Sequence, residues 1–287
     1  MKLSILIRGM VVLFALAVGG CDKENTASES QIRFSFKFDK EQARLNNFGQ
    51  PSAIPAGHAA QSPRFNSISA HYIELSPSAL TPLGAGEIVY FNSETTAGGA
   101  KAIDFGKSII VSEGQEFISL PLSSIAPGTY EYIRVSLAYQ NYDIDVLATG
   151  INTSGRIASF VGYNTYISTF KIKDTELSIN GNKKQGFWAF ESAAGVFQGQ
   201  APEGATTVPN PIASTSPVPV GSCVVTGKFS EPLVITAGQS ADIRVVLSLS
   251  INNSFEWIEV TSDNKFEPLA GEAVMDMGLR GLIPIVE

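Results

Sequence analysis

From Gln31 onward the chain alternates. Ile32, Phe34, Phe36 and Phe38 are apolar, and Arg33, Ser35 and Lys37 between them are polar. Apolar residues at a period of two predict a half-buried strand. The pattern returns in Thr129–Tyr139 (TYEYIRVSLAY), where Ile133, Val135, Leu137 and Tyr139 share one face, and in Ile243–Leu249, where Ile243, Val245, Leu247 and Leu249 do. Shorter apolar runs bounded by Gly, Pro, Asn or Ser predict further strands at 67–75, 87–91, 108–111, 116–122, 144–147, 156–161, 166–172, 176–179, 187–190, 224–229, 233–236 and 255–260. A last apolar run covers 273–279. Pro127-Gly128 and Asn180-Gly181-Asn182 carry turn chemistry. The best short helical stretch, Leu122–Ala126, is stopped by Pro127.

About a dozen short strands with turn signals between them predict an all-β fold, a single antiparallel β-sandwich of Greek-key or jelly-roll type. A closed barrel is the alternative. Strands this short argue against a transmembrane barrel, whose strands need about 9–11 alternating residues. The lack of a fixed-period repeat argues against propellers and solenoids. Two stretches interrupt the strands. Residues 39–66 hold Pro51 and Pro55 among Asn, Gly and Ala, and residues 200–221 hold five prolines among Ser and Thr. Both predict long loops. The expected organisation is one β-sandwich over 32–287, because a separate unit over 222–287 is marginal in size for folding alone.

The first residues have a different character. Lys2 and Arg8 precede the apolar run Met10–Val18 (MVVLFALAV), and Gly19, Gly20 and Cys21 follow it. The run is too short to cross a bilayer, which takes about 20 residues. Charge, apolar run, small residues and cysteine in this order resemble the signal peptide of bacterial lipoproteins. The resemblance implies cleavage before Cys21, acylation of Cys21, and attachment to a membrane through the lipid. Residues 1–20 then form the signal peptide, and residues 21–31 the lipidated cysteine and a polar tether. Asp22-Lys23-Glu24-Asn25 resembles both an inner-membrane retention signal of enteric bacteria and a surface-export tag of bacteroidetal lipoproteins. The Phe-, Tyr-, Asn- and Ser-rich body is more similar to bacteroidetal surface lipoproteins. The expected location is the bacterial outer membrane, with the chain exposed at the cell surface.

Charge and cysteine count narrow the function classes. The chain has 20 Lys+Arg and 27 Asp+Glu, a net charge of −7. Loss of residues 1–20 takes away two basic residues and no acidic one. No basic stripe exists to neutralise phosphates, which argues against nucleic acid. With Cys21 lipidated, Cys223 has no partner for a disulfide. Cys223 lies in an apolar strand with no basic neighbour to activate it, which fits a buried small side chain.

The usual catalytic signatures are missing from the sequence: G-x-S-x-G, the P-loop, H-E-x-x-H and G-x-G-x-x-G. The chain is therefore expected not to be an enzyme and to need no cofactor; a hydrolase is the weaker alternative. His58 and His71 are its two histidines. Each reads first as an ordinary surface or core residue; together they are candidate metal ligands if the 39–66 loop folds back. Asp143 and Asp145 share a strand face roughly 7 Å apart. They read as a solvated face, or with loop carbonyls as a calcium site. Glu256 and Glu259 face opposite ways on a strand and do not pair. Tyr142, Tyr163 and Trp188, near turns, are candidate ligand-binding rings, against the plainer reading of a second small core under loops. The order of features (Ile68–Leu75, Pro127–Leu137, a tryptophan, Ile243–Leu249) also resembles copper-binding proteins encoded with methanobactin and their lipoprotein relatives. That family binds copper through histidines and an oxidised tryptophan. Here Phe34-Ser35-Phe36 stands where a histidine is expected, and none follows Trp188, so copper binding does not carry over. The expected function is a surface lipoprotein that binds a glycan, a protein or a metal ion. A copper- or calcium-handling protein is the alternative.

Overall fold

The computed structural model describes residues 29–201, 216, 218, 219 and 221–287. The signal segment, Cys21, most of the tether and most of the 200–221 loop lie outside the described residues. The chain is all-β. In order, the strands are β1 (Gln31–Asp39), β2 (His58–Gln61), β3 (Arg64–Ser76), β4 (Glu87–Phe91), β5 (Glu94–Thr95), β6 (Ala102–Asp104), β7 (Glu116–Pro121), β8 (Gly128–Ala148), β9 (Ile151–Phe160), β10 (Asn164–Lys171), β11 (Glu176–Lys184), β12 (Phe187–Ser192), β13 (Gly195–Gln200), β14 (Cys223–Ile235), β15 (Ile243–Ser250), β16 (Phe255–Ile258), β17 (Val274–Met277) and β18 (Leu282–Val286). Among the described residues three short 3-10 turns join them, one of them Leu122–Ser124.

One sheet has the order β18-β15-β1-β7. Its inner face is the alternating set read from the sequence: Ile32, Phe34 and Phe36 are fully buried beside Val245, Leu247 and Leu249. The larger sheet has the order β13-β12-β9-β8-β3-β4, with β14 also paired to β8. The two inner faces meet in the main core, where Ile73, Leu75, Ile133, Val135, Val225 and Phe229 pack against the β1 phenylalanines. The sheets touch at one flank, where β14 crosses β18. A Cβ at Gly227 would lie 2.8 Å from the Leu282 carbonyl oxygen, so only glycine lets the strands approach this closely.

Strand β8 organises everything else. Along one edge it pairs first with β14 and then with β9; along the other it pairs with β3. Its first half belongs to the main core. Its middle, residues 138–142, is covered on both faces, and beyond it Asp143 and Asp145 alternate with the buried Tyr142, Ile144 and Val146. Tyr142, Ile144 and Val146 pack on Phe255, Trp257 and Met277 of the β17-β16-β2 sheet. On the opposite face Tyr139, Phe160 and Phe187 pack on Ile167 and Phe170 from the β11-β10-β6-β5 sheet. Strands covered on both faces lose strict alternation, which explains why the period-two signal lapses at 138–142.

Several elements differ from the sequence expectation. The runs at 129–139 and 144–147 are one strand of 21 residues. The polar Gln140-Asn141 between them looks like a break, but both side chains are buried, and Asn141 Nδ2 donates to the Ile172 carbonyl (2.9 Å). The runs at 224–229 and 233–236 are likewise one strand with a register shift. Asn180-Gly181 is no hairpin turn: Asn180 takes a positive φ of 52° where the β10–β11 register slips, so β11 bulges and runs on to Lys184. Residues 108–110 are not strand, and Val111 makes only a bridge to Ile68. The 39–66 stretch contains β2 and the start of β3. Two pairings, β1 with β15 and β6 with β10, are parallel.

Candidate functional site

His71 is fully buried on β3, and its ring packs against Phe91 (4.7 Å between centroids) and Tyr163 (5.5 Å). Its Nε2 lies 3.4 Å from Glu94 Oε1, and neither ring nitrogen has a well-aligned hydrogen bond. Glu94 on β5 also accepts from the Tyr163 hydroxyl (2.8 Å) and pairs with Lys101 (2.5 Å). Burial pushes the Glu94 carboxyl up, but the close approach of His71 and the bonds from Lys101 and Tyr163 outweigh it and hold it at about 2. Burial, with the hydrogen bond to Glu94 behind it, raises the Tyr163 phenol well above its ordinary range. The carboxylate is committed to its three neighbours, and the imidazole is sealed from solvent. A folded-state value below the ordinary one means that Glu94 stabilises the fold above about pH 4.5 and that this is lost as pH falls towards 2. Screening at solvent-exposed Lys101 trims the effect to about 2 kcal/mol. Glu94→Gln is expected to flatten the acid side of the stability curve by about half that amount between pH 5 and pH 3, read from urea midpoints at the two pH values. An unchanged acid slope would mean that other carboxylates carry it.

His58 belongs to a separate cluster at the β2-β16-β17 sheet. Its Nδ1 lies 2.7 Å from Glu256 Oε1. Glu256 Oε2 accepts from Arg44 (2.6 Å) and Arg280 (3.0 Å), and Arg280 also reaches Asp276 Oδ2 (2.8 Å). Arg44, from the 39–66 crossing, donates to the Asn253 carbonyl as well. Burial works against the Glu256 charge, yet His58, Arg44 and Arg280 hold the carboxyl below its ordinary value. Asp276 goes the other way: burial pushes it up to about 6 in spite of Arg280. The two histidines thus have different carboxylate partners, and among the described residues no three His, Cys, Asp or Glu are grouped to hold a metal ion.

The remaining candidate residues have structural partners. Asp143 and Asp145 do share a face of β8, but each takes an arginine from a neighbouring strand. Arg156 on β9 bonds Asp143 at 2.6 and 2.9 Å, and Arg64 on β3 bonds Asp145 at 2.9 Å. This is a charge-neutral cross-strand ladder. Tyr142 is fully buried and its hydroxyl donates to the Met277 carbonyl (2.8 Å), so it presents no ring face to a ligand. Tyr163 is spent on Glu94. Trp188 is half-buried, packed against the core under β16, with Gly199 of β13 against its ring. The aromatic cluster forms secondary cores under the smaller sheets. Burial, and then the charge of Asp276, pushes the Cys223 thiol up to about 12, so it stays protonated.

Two open grooves stand out among the described residues. One, of about 510 Å³, runs over the outer face of β1 and β15 past Arg33, Lys37, Arg244, Glu116 and Glu287. Its charges pair internally: Arg33 with Glu116 (3.5 Å) and Asp242 (3.1 Å), Arg244 with Glu287 (3.7 Å), Lys37 with Asp39 (2.7 Å). The other, of about 660 Å³, lies at the end of the β8–β9 hairpin and includes Asp145, Asn152, Ser154, Asn264 and Lys265. Thr149 (φ 51°) and Gly150 (φ 77°) make the two-residue turn of this hairpin, both left-handed as such a turn requires. Its floor is closed where the β8 edge runs past β3. There the Gln61 side chain bonds both the N–H and the carbonyl of Asp145, and Leu147 N–H donates to the Phe266 carbonyl. Among the described residues the side chains of Asn152, Thr153, Ser154 and Asn264 make no hydrogen bond, so amide and hydroxyl groups line the groove unspent. Loop chemistry of this kind gives no periodic or motif signal. The groove exists only because residues near 61, 150 and 265 converge. Comparison with known proteins found no matching family model, curated protein or solved structure.

Proposed function

We propose that this chain is a lipid-anchored protein of the bacterial outer membrane, displayed at the surface, that works as a non-enzymatic binding module. The observation that carries the reading is Cys21 itself. It follows a short apolar run and two glycines, and stands ten residues before the first strand begins at Gln31. Two features agree with binding rather than turnover. The carboxylates of the buried clusters are taken up by their own partners, and among the described residues the groove at the β8–β9 hairpin offers unspent amide and hydroxyl groups. A hydroxyl-rich ligand, a glycan in the first instance, suits that set of donors and acceptors.

The anchor is tested by growing bacteria that express the full chain with an alkyne analogue of palmitate. The protein should take up the label and sediment with membranes. Cys21→Ser should carry no label and move to the soluble fraction. An unlabelled wild-type protein would end the lipoprotein reading.

A further inference from the structure

Strand β13 (GVFQGQ) ends the largest sheet, and among the described residues nothing pairs with its outer edge. It follows β12 across a two-residue turn, with Ser192 opposite Gly195 and Phe187 opposite Gln200. Just beyond, Ala201 N–H donates to the Gly186 carbonyl (2.8 Å). Along an antiparallel strand, residues bonded to one neighbour alternate with residues whose backbone groups face away from it. Gly195, Phe197, Gly199 and Ala201 therefore bond towards β12. The N–H and carbonyl groups of Val196, Gln198 and Gln200 face outward. Sheet edges are normally defended by charge or proline. Among the described residues every other sheet edge of more than four residues carries one or the other, as with Glu116 and Pro121 on β7 and Pro284 on β18. β13 carries neither, and its Val196 and Phe197 are 38% and 51% exposed. Other exposed side chains, such as Leu80 and Leu269, stand in turns with no such row of backbone groups beside them.

A second β13 fits this edge. Set antiparallel about a two-fold axis at Gln198, the strands bring Val196 opposite Gln200 of the other copy and Gln198 opposite itself. All the outward N–H groups and carbonyls of both strands are then bonded. Phe197 lies opposite Gly199 of the other copy, in a pair without backbone bonds, where side chains approach most closely. The one bulky side chain on that face of β13 meets the residue that has none. Gly199 already has the Trp188 ring beside it, since a Cβ there would stand 2.6 Å from Cζ2. Phe197 of each copy thus reaches the half-buried Trp188 of the other, an aromatic ring covering a strand glycine. No charge is set against its own copy, and the Gln198 amide can both donate and accept across the axis. We infer that two copies of this chain join edge to edge through β13 and share one continuous sheet.

The test is cross-linking in bacteria that express the full chain, with the wild type as control for Cys21 and the buried Cys223. Opposed Cα atoms in a bonded pair are about 5.5 Å apart, within the reach of a disulfide. Gln198→Cys should therefore give a disulfide-linked dimer on oxidation. Val196→Cys should not, because position 196 lies four residues, about 13 Å, from its own copy along the paired strands. Val196→Pro added to Gln198→Cys should remove the dimer and leave the urea midpoint unchanged, because the Val196 N–H faces away from β12. No dimer from Gln198→Cys, an equal dimer from Val196→Cys, or a dimer that survives the proline in folded protein overturns the inference. If the proline lowers the midpoint, the contrast between positions 198 and 196 decides alone.

Discussion

Replacing Glu256 by alanine should lower the unfolding free energy by about 3–5 kcal/mol, because breaking a buried ion pair from one side leaves its partners charged and uncompensated. Its carboxylate is only 4% exposed and is shared by Arg44, Arg280 and His58. Arg44 is itself buried, and its Nε already lacks a partner, so it cannot turn to water without moving the 39–66 crossing. The loss is a large part of the 5–15 kcal/mol typical of a domain. Glu256→Gln keeps an acceptor and the volume, and should cost less. His58→Ala should cost least of the three, since His58 touches the carboxylate from its more exposed side. The check is urea unfolding of residues 22–287, with a lower midpoint and an unchanged slope. If Glu256→Ala unfolds within 1 kcal/mol of the wild type, as an exposed pair would, the cluster is not holding the crossing in place.

Glu74→Ala should be comparably costly, at about 3–5 kcal/mol, and should show a second signature. Glu74 is fully buried on β3. It accepts from the backbone N–H of Gly84 (3.1 Å) and Gly86 (2.5 Å), and its Oε2 lies 3.6 Å from Arg134 Nη1. Arg134 Nη2 in turn donates to the Thr81 carbonyl (2.7 Å). These bonds pin the 77–86 turn to the outer face of the large sheet. Gly86 is required there, since a Cβ would stand 2.4 Å from the Leu75 carbonyl oxygen. Loss of the carboxylate frees two N–H groups and a guanidinium at once, so the turn should open before the rest of the molecule. Limited proteolysis should then cut the variant between residues 77 and 86 under conditions that leave the wild type whole. Equal resistance of the two proteins would show that the turn is held by something else.

Both carboxylates were invisible as core residues in the sequence. Glu74 follows Ile73 in a plain strand pattern, and Glu256 sits where an alternating strand presents a polar residue to solvent. What buries them comes from elsewhere in the chain: Arg44 is 212 residues from Glu256, and Arg134 approaches Glu74 only through the β3–β8 pairing. Period two was legible where one face meets the core and the other meets water, as in β1 and β15. It faded where β8, β9 and β12 are covered on both faces. The strands overlooked were short or lay at the margins. β5 and β6 have two and three residues, β13 is an exposed edge with Phe197 turned outward, and β18 carries Pro284. The Asp143/Asp145 face was legible as a shared face, but not its neutralisation, because Arg64 and Arg156 arrive from two other strands. The β8–β9 groove gave no sequence signal at all, since hydroxyl and amide residues in turns are ordinary.

The unbroken length of β8 also determines how the molecule carries load. A ligand held at the hairpin and an anchor held at Cys21 would pull along the axes of β8 and β1, not across them. Strands drawn lengthwise break their ladders only when many hydrogen bonds yield together, whereas strands peeled sideways lose them one at a time. β8 is laced on one edge to β14 and β9 and on the other to β3, and β1 lies between β15 and β7. Tension between cell and ligand would therefore run in shear through the most heavily paired strands of the fold, the arrangement expected of a tether built to hold.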